Sequence, residues 1–344
     1  MNISSWTLFH YEFPLVRPTT VKGGGEQTRG GLLLRVQHDA GEGWGEIAPL
    51  PGYSRESRAE ARMQLLEVLP RGLATDIPLL PSVRFGLDMA CRVWPAEEIE
   101  IPINILLDGN IDEVMASAEA EVENGATCFK LKVGRKPVED EIRMVEAVRH
   151  VIGSCELRLD ANRAWTLEEA RAFLPDLARY DIEYIEEPVQ DGFGLEQLIE
   201  ENLCPIALDE TLSEATDLEP FAGARALVIK PSMVGGWART RELAQIGESL
   251  GAYPVISSIF ESGVGHRCLA RMAAALPRAR PRKTSGIEYG QEQEHEHEVA
   301  VGLDTYRWIQ KDVLVEPIEI RSGFIRIGNK CRVDIDRLTE LCHG

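Results

Sequence analysis

The sequence predicts an α/β protein: a closed parallel (β/α) barrel with a smaller α+β domain in front of it. Three observations carry this expectation. From about residue 101 to 290 one grammar repeats, a short apolar strand ending in polar residues and then an amphipathic helical stretch. The strand candidates start at steps of 27, 28, 26, 23, 21, 27 and 33 residues, room for a strand, a helix and two short loops. Residues 1–98 follow a different pattern, in which strand-like and helical pieces do not alternate.

In order along the chain, 31–37 and 43–48 read as β-strands, Pro49-Leu50-Pro51-Gly52 as a turn, and 57–69 and 82–94 as helices. Gly23-Gly24-Gly25 reads as a loop free to act as a lid. The eight barrel strands are expected at 101–107, 128–133, 156–160, 182–186, 205–209, 226–230, 253–258 and 286–289. Between them, 138–149 carries Ile142, Val145 and Val148 on one face with acids in its first turn. Thr166 followed by Glu169 has the spacing of a capping box. After about 303 the pieces 313–320 and 324–327 are strand-like and are expected to pack back on the first domain. The division is therefore 1–98, 99–302 and 303–344. The acidic tract 291–298 holds His295 and His297, a pair read as a solvated turn rather than a metal site.

Bulk properties narrow the function. At 344 residues, 44% hydrophobic and 27% charged, the chain has an ordinary globular composition. A net charge of −19 repels a phosphate backbone, so nucleic acid is a poor partner, while a small anionic substrate stays admissible. No apolar run approaches the roughly 20 residues that span a bilayer, and no partner membrane is expected. The first residues lack a basic and apolar leader, so a cytoplasmic protein is expected. Seven cysteines without a CxxC read as reduced, buried thiols.

Side chains i and i+2 of a strand share a face. Lys130 and Lys132 therefore point together into the barrel while Phe129 and Leu131 face the helices. Arg158, Asp160 and Asn162 do the same on the next strand, Tyr184 and Glu186 on the fourth, Ala207 and Asp209 on the fifth, and Ala226, Val228 and Lys230 on the sixth. Barrel enzymes place their sites at these strand ends. Asp160, Glu186 and Asp209, one βα unit apart, converge as hard oxygen ligands that suit Mg²⁺. Glu187 and Glu210 compete with them by adjacency. The lysines flank the carboxylates. A lysine acts as a base only when its pKa falls well below about 10.4, and a nearby cation together with the Lys130 ammonium favours that for Lys132. The combination suits proton abstraction next to a carboxylate.

The KxK pair (Lys130, Lys132), the DxN (Asp160, Asn162), Glu186-Glu187-Pro188, the pair Asp209-Glu210 and Lys230 resemble the enolase superfamily, in its muconate-lactonising subgroup, over nearly the whole chain. No His–Asp dyad of the mandelate racemase branch is present. The stretches 28–34, 43–54 (Gly-Trp-Gly-Glu-Ile-Ala-Pro-Leu-Pro-Gly-Tyr-Ser), 106–109 and 257–265 are similar to the o-succinylbenzoate synthase family of menaquinone biosynthesis. Arg29-Gly30-Gly31 and Gly328-Asn329-Lys330-Cys331 depart from that pattern.

The resemblance implies a modified TIM barrel with an α+β cap made of the N-terminal region and the C-terminal tail. It also implies Mg²⁺, with Mn²⁺ as an acceptable substitute, on Asp160, Glu186 and Asp209. The implied reaction is a syn dehydration of a small dicarboxylate, a succinyl-hydroxycyclohexadiene carboxylate, through an enediolate. Lys132 is the implied base and then acid, Lys130 assists it, and Lys230 is a cation over the other ring face. Arg158 and Asn162 are expected to orient the site. The stretch holding Ser257, Ser258, Glu261, Ser262 and Gly263 is expected to offer N–H groups and a helix N-terminus to a substrate carboxylate. The loops 20–29 and 50–53 are expected to close over the succinyl tail. An N-succinylamino-acid racemase or dipeptide epimerase, a Schiff-base aldolase using Lys230, and a non-catalytic binding protein on the same fold stay open.

Overall fold

The computed structural model describes residues 3–19, 25–71, 77–95, 97–190, 192–277 and 298–344. Strands β1 (Ile3–Pro14), β2 (Thr28–His38) and β3 (Gly41–Ile47) open the chain and form an antiparallel meander, followed by helices α1 (Arg58–Val68) and α2 (Pro81–Cys91). Sequence reading passed over β1, although Phe9, Tyr11 and Phe13 are buried while Glu12 and Pro14 are exposed, the period of a half-buried strand. Ser57 starts α1 through a reciprocal bond pattern with Glu60. Leu8, Leu32, Leu34, Val36 and Ile47 pack on Ala61, Leu65, Val83 and Leu87, which gives this cap its own core.

The run expected as one strand at 101–107 is divided. β4 (Ile99–Pro102) turns away, and β5 (Ile105–Leu107) starts the barrel. After α3 (Ile111–Glu123) come β6 (Cys128–Lys132), α4 (Val138–Ile152), β7 (Glu156–Asp160), α5 (Leu167–Leu177), β8 (Tyr184–Glu186), α6 (Gly192–Glu201) and β9 (Ile206–Leu208). The short α7 (Thr211–Glu214) precedes β10 (Ala226–Ile229). The short α8 (Pro231–Val234) and α9 (Gly236–Leu250) lead to β11 (Tyr253–Ile256) and α10 (Gly263–Ala274). Asn110 with Glu113 and Thr166 with Glu169 both form complete capping boxes at their helix starts.

Strands β5 to β11 lie side by side in sequence order, all parallel. The strand expected at 286–289 lies outside the described residues, as do His295 and His297. Val301 and Gly302 close the ring instead: Ile103 bridges Val301 and Ser257 bridges Gly302, both in parallel. Val301 N–H donates to Pro102 O and Gly302 N–H to Ile256 O, each at 2.8 Å.

The tail differs from expectation as well. Only β12 (Glu319–Arg321) forms a strand within and just beyond 313–320. β13 (Phe324–Ile327) pairs with β4 rather than with the cap sheet. What returns to the cap is β14 (Thr339–His343), antiparallel to β1, and it completes the sheet β14-β1-β2-β3. No helix among the described residues is long and apolar enough to cross a membrane. None of the seven cysteines is in a disulfide; Cys128, Cys204 and Cys268 are buried, and Cys331 is exposed.

Inside the ring, Tyr184, Ala207, Ala226, Val228, Tyr253, Val255 and Val299 form an apolar plug, while Phe129, Leu131, Leu157 and Leu159 face outward into the main core with the helices. The plug contains one full charge pair. Arg158 is wholly buried, with Nε 2.7 Å from Glu183 Oε2 and Nη1 2.7 Å from Ala300 O and 3.1 Å from Asn104 Oδ1. Its guanidinium also lies 5.1 Å from the Tyr184 ring centre. Truncating one partner strands the other charge in a low-dielectric interior. Arg158→Ala is therefore expected to lose about 3–5 kcal/mol of unfolding free energy, read from urea denaturation.

The cap docks through carboxylates. Glu46 at the end of β3 is fully buried and accepts from Ser262 N–H (2.7 Å), Ser262 Oγ (2.6 Å), Gly265 N–H (2.8 Å) and the Tyr11 hydroxyl. Asp312 from the tail accepts from Gly263 N–H at 2.9 Å. The free amides and positive end of α10 are thus satisfied by the chain's own acids. Only glycine permits this approach: a Cβ on Gly263 would lie 2.1 Å from Asp312 Oδ2, and one on Gly265 2.7 Å from Glu46 Oε2. Burial pushes the Glu46 carboxyl up to about 7, against the pull of the Ser262 and Tyr11 hydrogen bonds. Between its ordinary range and that value the folded chain keeps a proton that the unfolded chain has released. The contribution of this group to stability therefore falls as pH rises through that window. Urea midpoints of wild type and Glu46→Gln at several pH values are expected to show that slope in the wild type and its loss in the variant.

Candidate active site

Strand register assembles the site. Lys132 lies opposite Asp160 across β6 and β7, Asp160 lies opposite Glu186 across β7 and β8, and Asp209 follows β9 directly. The carboxylate oxygens of Asp160, Glu186 and Asp209 lie within 4.8 Å of one another, all buried. Lys130 Nζ sits 2.6 Å from Glu186 Oε2 and 2.9 Å from Asp160 Oδ2. Lys132 Nζ sits 2.6 Å from Asp160 Oδ2 and 2.7 Å from Asn162 Oδ1. Lys230 donates to Asp209 and to the Tyr53 hydroxyl, which itself donates to Asp209 Oδ2 at 3.0 Å. Since β7, β8 and β9 lie between β6 and β10, the two lysine positions face each other across the acids.

Charge compensation dominates the electrostatics. Burial works to raise Asp160, but the Lys130 and Lys132 ammoniums hold its carboxyl far below the usual range. Glu186 is pushed up to about 7 by burial, with Lys130 opposing and Asp160 and Asp209 adding to the rise. Burial would lower Lys130, yet Asp160 and Glu186 keep it well above its ordinary value; Asp209 and Glu210 do the same for Lys230. Close, buried, oxygen-only donors that call for positive charge suit a divalent cation.

The two competing glutamates play other parts. Glu187, with φ of 38°, turns away from the cluster: Oε1 accepts from Asp209 N–H and Thr211 N–H, both at 2.9 Å, and Oε2 accepts from Arg163 Nε at 2.9 Å. Asn162 and Arg163 also take positive φ, at 44° and 59°, so the loops after β7 and β8 are held in conformations that the Arg163–Glu187 pair secures. Glu210 faces Asn162 Nδ2 at 3.4 Å, and its Oε2 is buried without a partner. Burial and the Asp209 carboxylate push it up to about 8.

Arg158 does not join the site; its hydrogen-bond partners are Glu183, Asn104 and Ala300, one pleat below Asp160. Asn162 does join it, through Lys132. The α10 terminus is not open to a substrate carboxylate, because Glu46 and Asp312 fill it. Ser257 and Ser258 donate to Gly302 O at 3.4 and 3.2 Å, and Glu261 accepts from Ser232 Oγ at 2.6 Å and Ile259 N–H at 2.7 Å. Ser262 caps α10. These residues therefore build the wall of the barrel mouth. Of the loops expected over the mouth, 20–24 lie outside the described residues, while Tyr53 reaches the site. The sequence places Tyr53 in a loop over the mouth but carries no signal for its hydroxyl contacts.

Comparison with known proteins supplies the family. Residues 113–330 match the Enolase C-terminal domain-like family, and residues 3–94 match MenC, N-terminal domain. The o-succinylbenzoate synthase of Pectobacterium atrosepticum is 36% identical over 283 residues, 78% of this chain and 86% of that protein. That of Yersinia enterocolitica is 34% identical over 281 residues, 78% of this chain and 85% of the other. Among solved structures, the N-succinyl Arg/Lys racemase from Bacillus cereus superposes with a TM-score of 0.82 at 21% identity over 100% of this chain and 99% of its own. An enolase superfamily member from Roseovarius nubinhibens complexed with magnesium gives 0.79 at 21% over 99% of each chain; these two bear on the fold. The cap and the barrel are thus each matched in their own right, and the chain belongs to the o-succinylbenzoate synthase family of the enolase superfamily.

Proposed function

We propose that this chain is a hydro-lyase of menaquinone biosynthesis that dehydrates a succinyl-hydroxycyclohexadiene carboxylate to o-succinylbenzoate. The observation that carries the reading is the pair of lysine positions on opposite sides of the Asp160, Glu186 and Asp209 cluster, beneath a cap that matches the synthase N-terminal domain. Asp160, Glu186 and Asp209 would hold Mg²⁺, or Mn²⁺ in its place. The cation would bind the substrate carboxylate and stabilise the negative charge that builds there as the α-proton leaves.

Lys132 takes that proton on Nζ. The electron pair of the broken C–H bond moves toward the carboxylate and then back through the ring as the hydroxyl departs. Lys132 returns the proton to the leaving oxygen, so water and an aromatic ring are the products. Asn162 orients the Lys132 amine through its Oδ1. Lys130, held by Glu186 and Asp160, contributes positive charge behind Lys132. Lys230 lies across the cluster as a cation for the opposite ring face. Racemisation of an N-succinylamino acid would use the same two lysines as acid and base. The cap match favours the synthase.

Two outcomes test the reading. Lys132→Ala is expected to lower turnover by about 100- to 10,000-fold with an unchanged thermal midpoint, followed by absorbance of the aromatic product beside polarimetry of an N-succinylamino acid; near-normal dehydration removes the base assignment. EDTA is expected to abolish activity and added Mg²⁺ to restore it. Full activity in chelator discards the metal.

A further inference from the structure

The cap places one hydroxyl among the charges of the barrel mouth. Tyr53 donates to Asp209 Oδ2 at 3.0 Å and accepts from Lys230, while the Lys230 ammonium also stands 4.6 Å from the centre of the Tyr53 ring. A phenol is suited to this place, because one oxygen donates to a carboxylate and accepts from an ammonium at once. A residue needed only to roof the mouth would have no use for the hydroxyl.

The segment that carries Tyr53 is braced. Tyr53 N–H and Ser54 N–H both donate to Leu50 O, at 3.1 and 2.8 Å, and Leu50 N–H donates to Ser54 Oγ at 2.9 Å. Gly52 supplies the positive φ, 75°, that closes the turn. Upstream, the wholly buried Arg29 ties Pro49 O (3.2 Å) and Ala48 O in the cap to Phe260 O (3.2 Å) in the barrel. The direction of the hydroxyl is therefore set by how the cap sits on the barrel.

We infer that Tyr53 is a positioning residue that couples the cap to the metal ligand Asp209 and to Lys230. This rests on the metal and lysine assignments proposed above. A cation on Asp209 competes with Lys230 for that carboxylate. The Tyr53 hydroxyl then remains as the acceptor that keeps the ammonium beside the site, and its own donation holds the Asp209 carboxylate in the orientation a ligand needs. Lysine direction and ligand direction are thus set by one group from the other domain.

The test is Tyr53→Phe, which keeps the ring and removes the oxygen. Mg²⁺ alone is titrated into wild type and variant by calorimetry, thermal midpoints are recorded for both, and kcat and KM are measured for dehydration. Expected are Mg²⁺ binding weakened about 10- to 100-fold, kcat reduced with KM little changed, and an unchanged thermal midpoint. A merely structural ring predicts Mg²⁺ affinity and kcat within twofold of wild type, and that result overturns the inference while leaving the metal site standing. Absence of Mg²⁺ binding by the wild type overturns the metal assignment itself, and the inference with it.

Discussion

Three carboxylates crowded at the end of a barrel are the constraint on which the rest of the molecule turns. At separations up to 4.8 Å, two like charges repel by about 3 kcal/mol in a medium of effective dielectric near 20. Such a set stays together only with positive charge within reach or with a proton held by one of its members. Lys130, Lys132 and Lys230 provide the positive charge, and strand alternation delivers them: β6 sends two lysines inward because the alternate residues, Phe129 and Leu131, belong to the outer core. The apolar plug beneath keeps water from screening these charges from below, so the register of five strands is also the register of the chemistry.

That logic explains why so much of the site was legible. Period-2 alternation and the recurrence of βα units are local properties, so Asp160, Glu186, Asp209 and the three lysines were readable one strand at a time. The choice of Glu186 over Glu187 followed from the same alternation, and the turned-away Glu187 obeys it. What could not be read was set by contacts between distant parts of the chain. Ser262 and Gly263 look like an anion site in isolation because a helix begins there. Only the packed structure reveals Glu46 and Asp312 already seated on it. Arg158 shares the inward face with Asp160 yet belongs to the layer below, and depth along a strand has no local signal. The barrel's closing segment was likewise hidden, since Val301 and Gly302 are too few to register as a strand.

The cap has an apolar core of its own, yet Phe9, Tyr11, Phe13, Leu33, Phe85 and Met89 join the main core with the barrel, and buried polar contacts cross the same boundary. Arg29 and Glu46, both fully buried, cross the boundary to Phe260 and to Ser262. Buried polar groups that depend in part on partners across a boundary make the joint specific in orientation, since a small rotation would break those bonds. Apolar contact alone would tolerate sliding. The polar ties hold the cap in a fixed pose, which is what a site completed by a side chain from the cap requires.

The pairing of β14 with β1 has a consequence for synthesis. β1 is translated before β2 and the barrel, and its second partner, β14, emerges after the barrel. During most of translation β1 can pair on one side only, with β2, while its other edge presents unpaired backbone groups. Exposed edges of this kind invite pairing with other chains, and domains fold in the order in which they appear. The cap, begun before the barrel, is thus finished after it, and a nascent chain carries an open sheet edge until β14 is delivered.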